Sequence, residues 1–388
     1  MDKAYFDHSA TTPVDPAVKK AMEPFFGEIF GNASSIHLFG QQAVTAVDNA
    51  RETIADFLGC KTNEIIFTSG ATESDNIVIQ GLTKPGEHII TSKIEHPAIL
   101  ESCKEMEKRG VEVTYVNVNQ NGLVEIESIK KAIKDNTRLV SIMYVNNEIG
   151  TIQPVAEIGQ LIKDLNQARK IKIYFHTDAV QAANYCDINV DRLGVDLISL
   201  SAHKIYGPKG IGVLYRRSGV PIKSIQFGGH HEYGLRPGTL NVPGIVGLGK
   251  AVELLLDDKK RKKENERIKN LRDKLIEEIK KAIPKTQVNG DLEKRTPHNA
   301  HFSFYGVEGE SMLLLLDQEG IAVSTGSACS SGSLETSHVL MALEMEPLLA
   351  HGSLRVTLGK FNTEKDIDHL IEALPPIVEK LRRMSPIK

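Results

Sequence analysis

The chain is predicted to fold as an α/β protein, with a large unit built on a mainly parallel central sheet flanked by helices and a smaller α/β unit beside it. Three observations predict this. Apolar runs rich in strand formers alternate with segments of helical spacing over residues 60–215, the pattern of a parallel sheet whose strands are covered on both faces. Residues able to bind ligands recur where those runs end, and in such sheets ligands lie outside the carboxyl ends of the strands. Finally, 388 residues exceed the usual span of one hydrophobic core.

Composition narrows the function. An apolar fraction of 41% supplies two cores, and 47 Lys and Arg against 50 Asp and Glu leave a net charge of −3. No general attraction therefore draws the chain to nucleic acid or to an anionic membrane, and partners are expected to be chosen by specific sites. The N-terminus carries no basic flank followed by an apolar stretch, so neither a signal peptide nor a membrane span is read, and a cytoplasmic location is expected. The cysteines at 60, 103, 186 and 329 are scattered without a C-x-x-C pair, which argues against a zinc cluster and a disulfide framework, and no metal is expected.

In chain order, Asp7 to Pro13 is a polar loop, read as an N-terminal arm, and a helix follows from Pro16. Residues 40–58 carry helical spacing through Ala43, Val47, Ala50, Ile54 and Phe57. Glu64 to Thr68 is a strand that runs into Ser69-Gly70-Ala71-Thr72, which turns and opens a helix. Unpaired N–H groups at such a helix start suit a phosphate at Ala71 and Thr72, and a simply capped helix explains them equally.

His88 to Thr91 is a strand, and Glu95-His96-Pro97 opens the next helix with His96 at the turn, either structural or stacked on a planar cofactor. Val111 to Val118 and Leu139 to Val145 are further strands. The latter ends in Asn146-Asn147, two amides that suit a ligand or a turn. The strand Ile171 to Asp178 finishes on a carboxylate, with Gln181 just beyond. A buried acid there is costly unless paired, and the protonated ring nitrogen of pyridoxal phosphate (PLP) is a useful partner.

Val195 to Leu200 and Ile211 to Tyr215 are strands that bracket Ser201-Ala202-His203-Lys204-Ile205-Tyr206-Gly207-Pro208-Lys209-Gly210. This sets Lys204 at a strand-to-turn junction beside Ser201 and His203, groups suited to an anion, where a lysine amine can serve as a nucleophile toward a carbonyl. A second glycine-rich loop carries Arg236 and Thr239 and either binds phosphate or merely turns. The charged helix-like segment 259–281 is a solvated face along which the main boundary falls.

Beyond it, Ala300 to Phe304 and Ile321 to Ser324 are strands, and Met312 to Leu316 is helical. Cys60, Cys103 and Cys186 are read as core thiols. Cys329 sits in Thr325-Gly326-Ser327-Ala328-Cys329-Ser330-Ser331, where no hydrophobic slot is offered, and an exposed thiol suits nucleophilic attack or sulfur carriage. Arg355 lies within an apolar strand and wants a carboxylate, from a substrate or from the protein itself.

With Ser-Gly-Ala-Thr-Glu-Ser-Asp-Asn, Glu-His-Pro, Val-Asn-Asn-Glu-Ile-Gly, His-Thr-Asp-Ala-Val-Gln, Ser-Ala-His-Lys, Arg-Pro-Gly-Thr and Ser-Thr-Gly-Ser-Ala-Cys-Ser-Ser in one order, nearly the whole chain resembles the cysteine desulfurases of the NifS and IscS type. These are PLP enzymes of the class V aminotransferase family with the fold type I architecture. The resemblance implies that residues 15–260 form the large PLP-binding domain, and that 1–14 with 261–388 form the small domain carrying the cysteine loop. It implies that Lys204 carries PLP, Asp178 pairs with the ring nitrogen and His96 stacks on the ring.

By the same resemblance, Ala71, Thr72, Ser201 and His203 hold the phosphate, with Thr239 reaching in from the other subunit of a homodimer. Asn147 and Gln181 orient cofactor or substrate, Arg355 and Asn147 take the carboxylate of L-cysteine, and Lys204, His96 and Cys329 are catalytic. L-cysteine would become L-alanine, its sulfur passing through a Cys329 persulfide to an iron-sulfur scaffold protein or another acceptor. A transaminase or selenocysteine lyase of the same fold, or a non-catalytic sulfur-assembly subunit, are the alternatives. Transamination needs no protein thiol, and a scaffold needs none of Lys204, Asp178 and Cys329.

Overall fold

The computed structural model describes residues 3–325 and 336–385, so the expected Cys329 loop lies outside the described residues. The strands in chain order are β1 (Ala4–Tyr5), β2 (Ile65–Thr68), β3 (His88–Ser92), β4 (Glu112–Val116), β5 (Thr137–Ser141), β6 (Tyr174–Asp178), β7 (Leu197–Ser201), β8 (Gly212–Arg216), β9 (Thr286–Val288), β10 (Asn299–Phe304), β11 (Ile321–Ala322) and β12 (Ser353–Thr357). The large sheet has the order β2-β8-β7-β6-β5-β3-β4. Only β8 runs against its neighbours, pairing antiparallel with β2 and β7, while the other pairs are parallel. All residues of β2, β3, β6 and β7 are buried, which is why they read as continuous apolar or β-branched runs rather than alternating ones.

Several strands are shorter than the runs read for them: β6 begins at Tyr174 and β11 ends at Ala322. After Ser141 the β5 run parts from β3, because the Met143 N–H is taken by the Glu95 carboxylate at 2.9 Å and 3.0 Å from its two oxygens, while Ile142 and Tyr144 still donate to the His176 and Asp178 carbonyls of β6 at 3.1 Å and 2.9 Å. The run toward Val118 stops at Val116, and Val118 instead pairs with Val124 across a turn. Helices Ala71–Leu82 and Pro97–Lys108 pack on one face of the sheet in the cluster of Ile77, Ile89, Ile99 and Leu197. Leu38–Leu58 and Val242–Glu253 pack with the other face, where Val47, Ile54, Phe175 and Leu248 meet.

A separate core surrounds the three-stranded antiparallel sheet β12-β10-β9, where Phe302, Phe304 and Val356 pack against Leu275 of helix Asp258–Ala282 and Leu370 of helix Glu364–Met384. Burial of each such side chain contributes about 1.5–3 kcal/mol. The N-terminus belongs to this core. Strand β1 runs parallel to β11, Phe6 is fully buried, and Asp7 bridges to Thr357. The chain then crosses to the large sheet, where the Thr12 N–H and hydroxyl both donate to the His203 carbonyl at 2.9 Å and 3.0 Å.

The loop before Thr239 is pinned by one buried acid. Glu232 accepts from Arg51 at 2.7 Å and from the Phe67 N–H at 2.7 Å. That contact holds Glu232 and Tyr233 in left-handed backbone, φ 48° and 57°, at a cost of about 1–3 kcal/mol each. Among the described residues, no helix is long and apolar enough to cross a membrane.

Candidate active site

The parallel strands end along one edge of the large sheet, and β2, antiparallel to β8, ends there too. Beyond that edge lies a cavity of about 610 Å³. Ala71, Thr72, His96, Asn147, Asp178, Gln181, Ser201, His203, Lys204 and Arg355 all line it. Thr239 is exposed and does not, and Cys329 lies outside the described residues.

Helix Ala71–Leu82 starts at the cavity wall, so its first N–H groups and partial positive charge are available to an anion. The turn before it is admitted by Gly212, since a Cβ there would lie 2.7 Å from Gly70 Cα and 2.6 Å from the Leu200 carbonyl. Glu73, in the first turn of the helix, also lines the cavity. Its carboxylate accepts from the Ser69 N–H at 2.5 Å and from Arg236 at 3.0 Å, and its ionised form is stabilised despite burial. Ser201 ends β7, and His203 follows it with Nδ1 3.1 Å from the Thr11 hydroxyl. Burial, with Lys204 adjacent, holds His203 neutral, its pKa down at about 4.

The Lys204 ammonium donates to the carbonyls of Ser9 at 2.5 Å and Ala10 at 2.6 Å. Gln181 donates to the same Ser9 carbonyl at 3.0 Å. Asp178, at the end of β6, accepts from the Val180 N–H at 2.9 Å. Burial raises its pKa, while His96 and Lys204 pull it back. An additional cation at this wall would favour the charged form. His96 caps helix Pro97–Lys108, its Nδ1 accepting from the Ala98 N–H at 3.1 Å. Burial lowers its pKa, so the ring is neutral and its one proton sits on Nε2.

Behind the cavity wall lies a layer of buried acids. Asp75 is fully buried and its pKa is pushed well up by burial and by Asp178. Glu95 accepts from the Ser92 hydroxyl at 2.6 Å, and burial raises it to about 8; Glu148 accepts from Ser337 at 2.5 Å and is raised to about 7. A carboxyl raised on folding contributes stability below its unfolded pKa, and this is lost as pH rises through the folded one. The apoprotein should therefore lose about 1.4 kcal/mol of stability per pH unit through Glu95 between pH 4.5 and about 8. Urea titrations of wild type and Glu95→Gln across this window check it, and an unchanged slope in the variant would contradict it.

Arg355 is buried in β12. Its Nη1 donates to the Asn147 carbonyl at 3.2 Å and its Nη2 to Asp7 at 2.8 Å. The amide Asn146 serves the turn, accepting from the Glu148 and Ile149 N–H groups at 2.9 Å and 3.0 Å, while Asn147 lines the cavity. Of the three thiols read as core, Cys103 is buried and Cys60 and Cys186 are half-buried. Burial pushes Cys60 and Cys186 up to about 12, far from a reactive thiolate.

The residues that sequence reasoning missed are Ser9, Ala10 and Thr11, taken for an arm, and Lys209. The available signal was the run Ser9-Ala10-Thr11-Thr12, small and polar like the loops after the strands.

Comparison with known proteins agrees with this geometry. The sequence model of the class-V aminotransferase family matches residues 4–370. The cysteine desulfurase IscS of Dictyoglomus turgidum is 51% identical over 390 residues, covering 100% of this chain and 97% of that one. The enzyme of the same name from Methanosarcina thermophila is 51% identical over 387 residues, covering 99% and 94%. Among solved structures, a NifS-like protein superposes with a TM-score of 0.90 at 38% identity, covering 98% of this chain and 100% of that one. SspA in complex with cysteine gives 0.79 at 35% identity, covering 93% and 100%. The chain belongs to the class-V aminotransferase family, and within it to the cysteine desulfurases.

Proposed function

We propose that the protein is a PLP-dependent cysteine desulfurase that converts L-cysteine to L-alanine and carries the sulfur as a persulfide on Cys329. The observation that carries this reading is the convergence of Lys204, Asp178, His96, Arg355 and the helix start at Ala71 on one cavity. The donor set fits PLP: an amine for its aldehyde, a buried carboxylate for its ring nitrogen, a neutral imidazole for its ring face, and a helix N-terminus with Ser201 and His203 for its phosphate. When bound, PLP supplies an electron sink for the substrate Cα.

The chain's own groups do the rest. Arg355, with Asn147 beside it, holds the substrate carboxylate and so orients Cα. Lys204, whose amine would hold the cofactor's aldehyde, takes the Cα proton on Nζ. His96 handles the proton of the substrate thiol. The Ser9 and Ala10 carbonyls position Lys204, and Gln181, which donates to the same Ser9 carbonyl, orients cofactor or substrate. Cys329, as thiolate, attacks the substrate sulfur: an S–S bond forms as the Cβ–S bond breaks, the electron pair stays with the substrate carbon, which is protonated to give L-alanine, and the persulfide is presented to an acceptor. Thr239 completes the phosphate site of a second copy in a homodimer, a role in keeping with its exposure.

We assign residues 15–260 to the large domain and 1–14 with 261–388 to the small one, supported by the two cores and the β1–β11 pairing. A cytoplasmic location and an iron-sulfur scaffold protein or similar sulfur acceptor complete the reading.

Asp178→Asn tests it. Loss of the charge opposite the ring nitrogen should lower alanine formation from L-cysteine by about 10²–10³-fold, the range for removing one preorganised electrostatic partner. A steady-state assay following alanine and sulfide together measures this. Wild type forming both in equal amounts with the variant depressed supports the reading, and full activity in the variant contradicts it.

A further inference from the structure

Arg355 already has a carboxylate. Its side chain is 3% exposed, whereas that of its partner Asp7 is 20% exposed, so the arginine cannot swing to water while the aspartate can. One guanidinium edge is only partly used, because Nε is buried without a hydrogen-bond partner among the described residues. We infer that Asp7 is a specificity-determining residue that stands in for the substrate carboxylate at Arg355 and competes with it. This inference rests on the reading of Arg355 given above.

The surroundings support a displaceable contact. The Asp7 backbone is held independently of its carboxylate, by the bridge to Thr357 and by the Tyr5 hydroxyl and the Ala10 and Thr11 N–H groups on its carbonyl, and it begins the strap whose Ser9 and Ala10 carbonyls hold Lys204. A carboxylate arriving at Arg355 therefore acts on the strap that restrains the amine. Without ligand, Asp7 keeps Arg355 from being an uncompensated buried charge. With Asp7 neutralised, that burden falls on the ligand, and carboxylate binding tightens.

The test uses the PLP-loaded enzyme and two product-like ligands, L-alanine and L-alaninamide, which differ only in the carboxylate, with dissociation constants from calorimetry. Asp7→Asn should bind L-alanine about tenfold more tightly than wild type and leave alaninamide unchanged. A merely structural role would weaken both ligands, which overturns the inference, as does unchanged binding of L-alanine. Should Asp7→Asn fail to fold, Asp7→Ser carries the same expectation. Arg355→Lys separates the two claims. If it keeps the wild-type preference for L-alanine, the reading of Arg355 and the inference fall together. If it abolishes the preference while Asp7→Asn tightens nothing, the inference alone falls.

Discussion

Lys204→Ala is expected to lower alanine formation from L-cysteine by about 10⁴-fold, the upper end of what one positioned proton-transfer group contributes. Two losses combine in this variant. The amine proposed to attach PLP is gone, and so is the base proposed to take the Cα proton. The effect should be chemical rather than structural, because the ammonium donates to the carbonyls of Ser9 and Ala10, groups that water can satisfy in a cavity of about 610 Å³. Circular dichroism should therefore match wild type, while the absorption of lysine-bound cofactor disappears. Turnover within about tenfold of wild type would remove Lys204 from the centre of the account.

Cys329→Ala is expected to abolish both alanine and sulfide formation, yet leave the lysine-bound cofactor absorption intact. Cys103 is buried in the sheet-packing core, and burial holds Cys60 and Cys186 up at about 12, so none of these offers a thiolate near neutral pH. Loss of the nucleophile should therefore stop sulfur transfer at the first turnover, giving a drop of at least about 10³-fold. Restoration of activity by Cys329→Ser would contradict the assignment, because a hydroxyl cannot carry a persulfide.

Much of this architecture was legible because parallel strands covered on both faces leave unbroken apolar runs. The strands β2, β3, β6, β7 and β8 were read from such runs, and the candidate residues that follow β2, β3, β6 and β7 then shared one edge by topology. Strand β9 was missed, since it has three residues, with Gln287 exposed between half-buried Thr286 and Val288, too short a run for a period to show. The strap Ser9 to Thr11 was missed for a different reason. Its place in the cavity depends on β1 pairing with β11 and on contacts to His203, which no local periodicity encodes. Arg355 shows the same limit: its need for a carboxylate was readable, but Asp7 lies 348 positions away in the chain.

Sulfur transfer from L-cysteine onto Cys329 should keep step with alanine formation at Lys204. Its most direct test mixes wild-type holoenzyme with one equivalent of L-cysteine in the absence of reductant, quenches, and analyses the protein by peptide mass spectrometry alongside alanine. The account predicts one added sulfur atom on the Cys329 peptide for each alanine released. Alanine without added sulfur on that peptide, or added sulfur on a different cysteine, would contradict it.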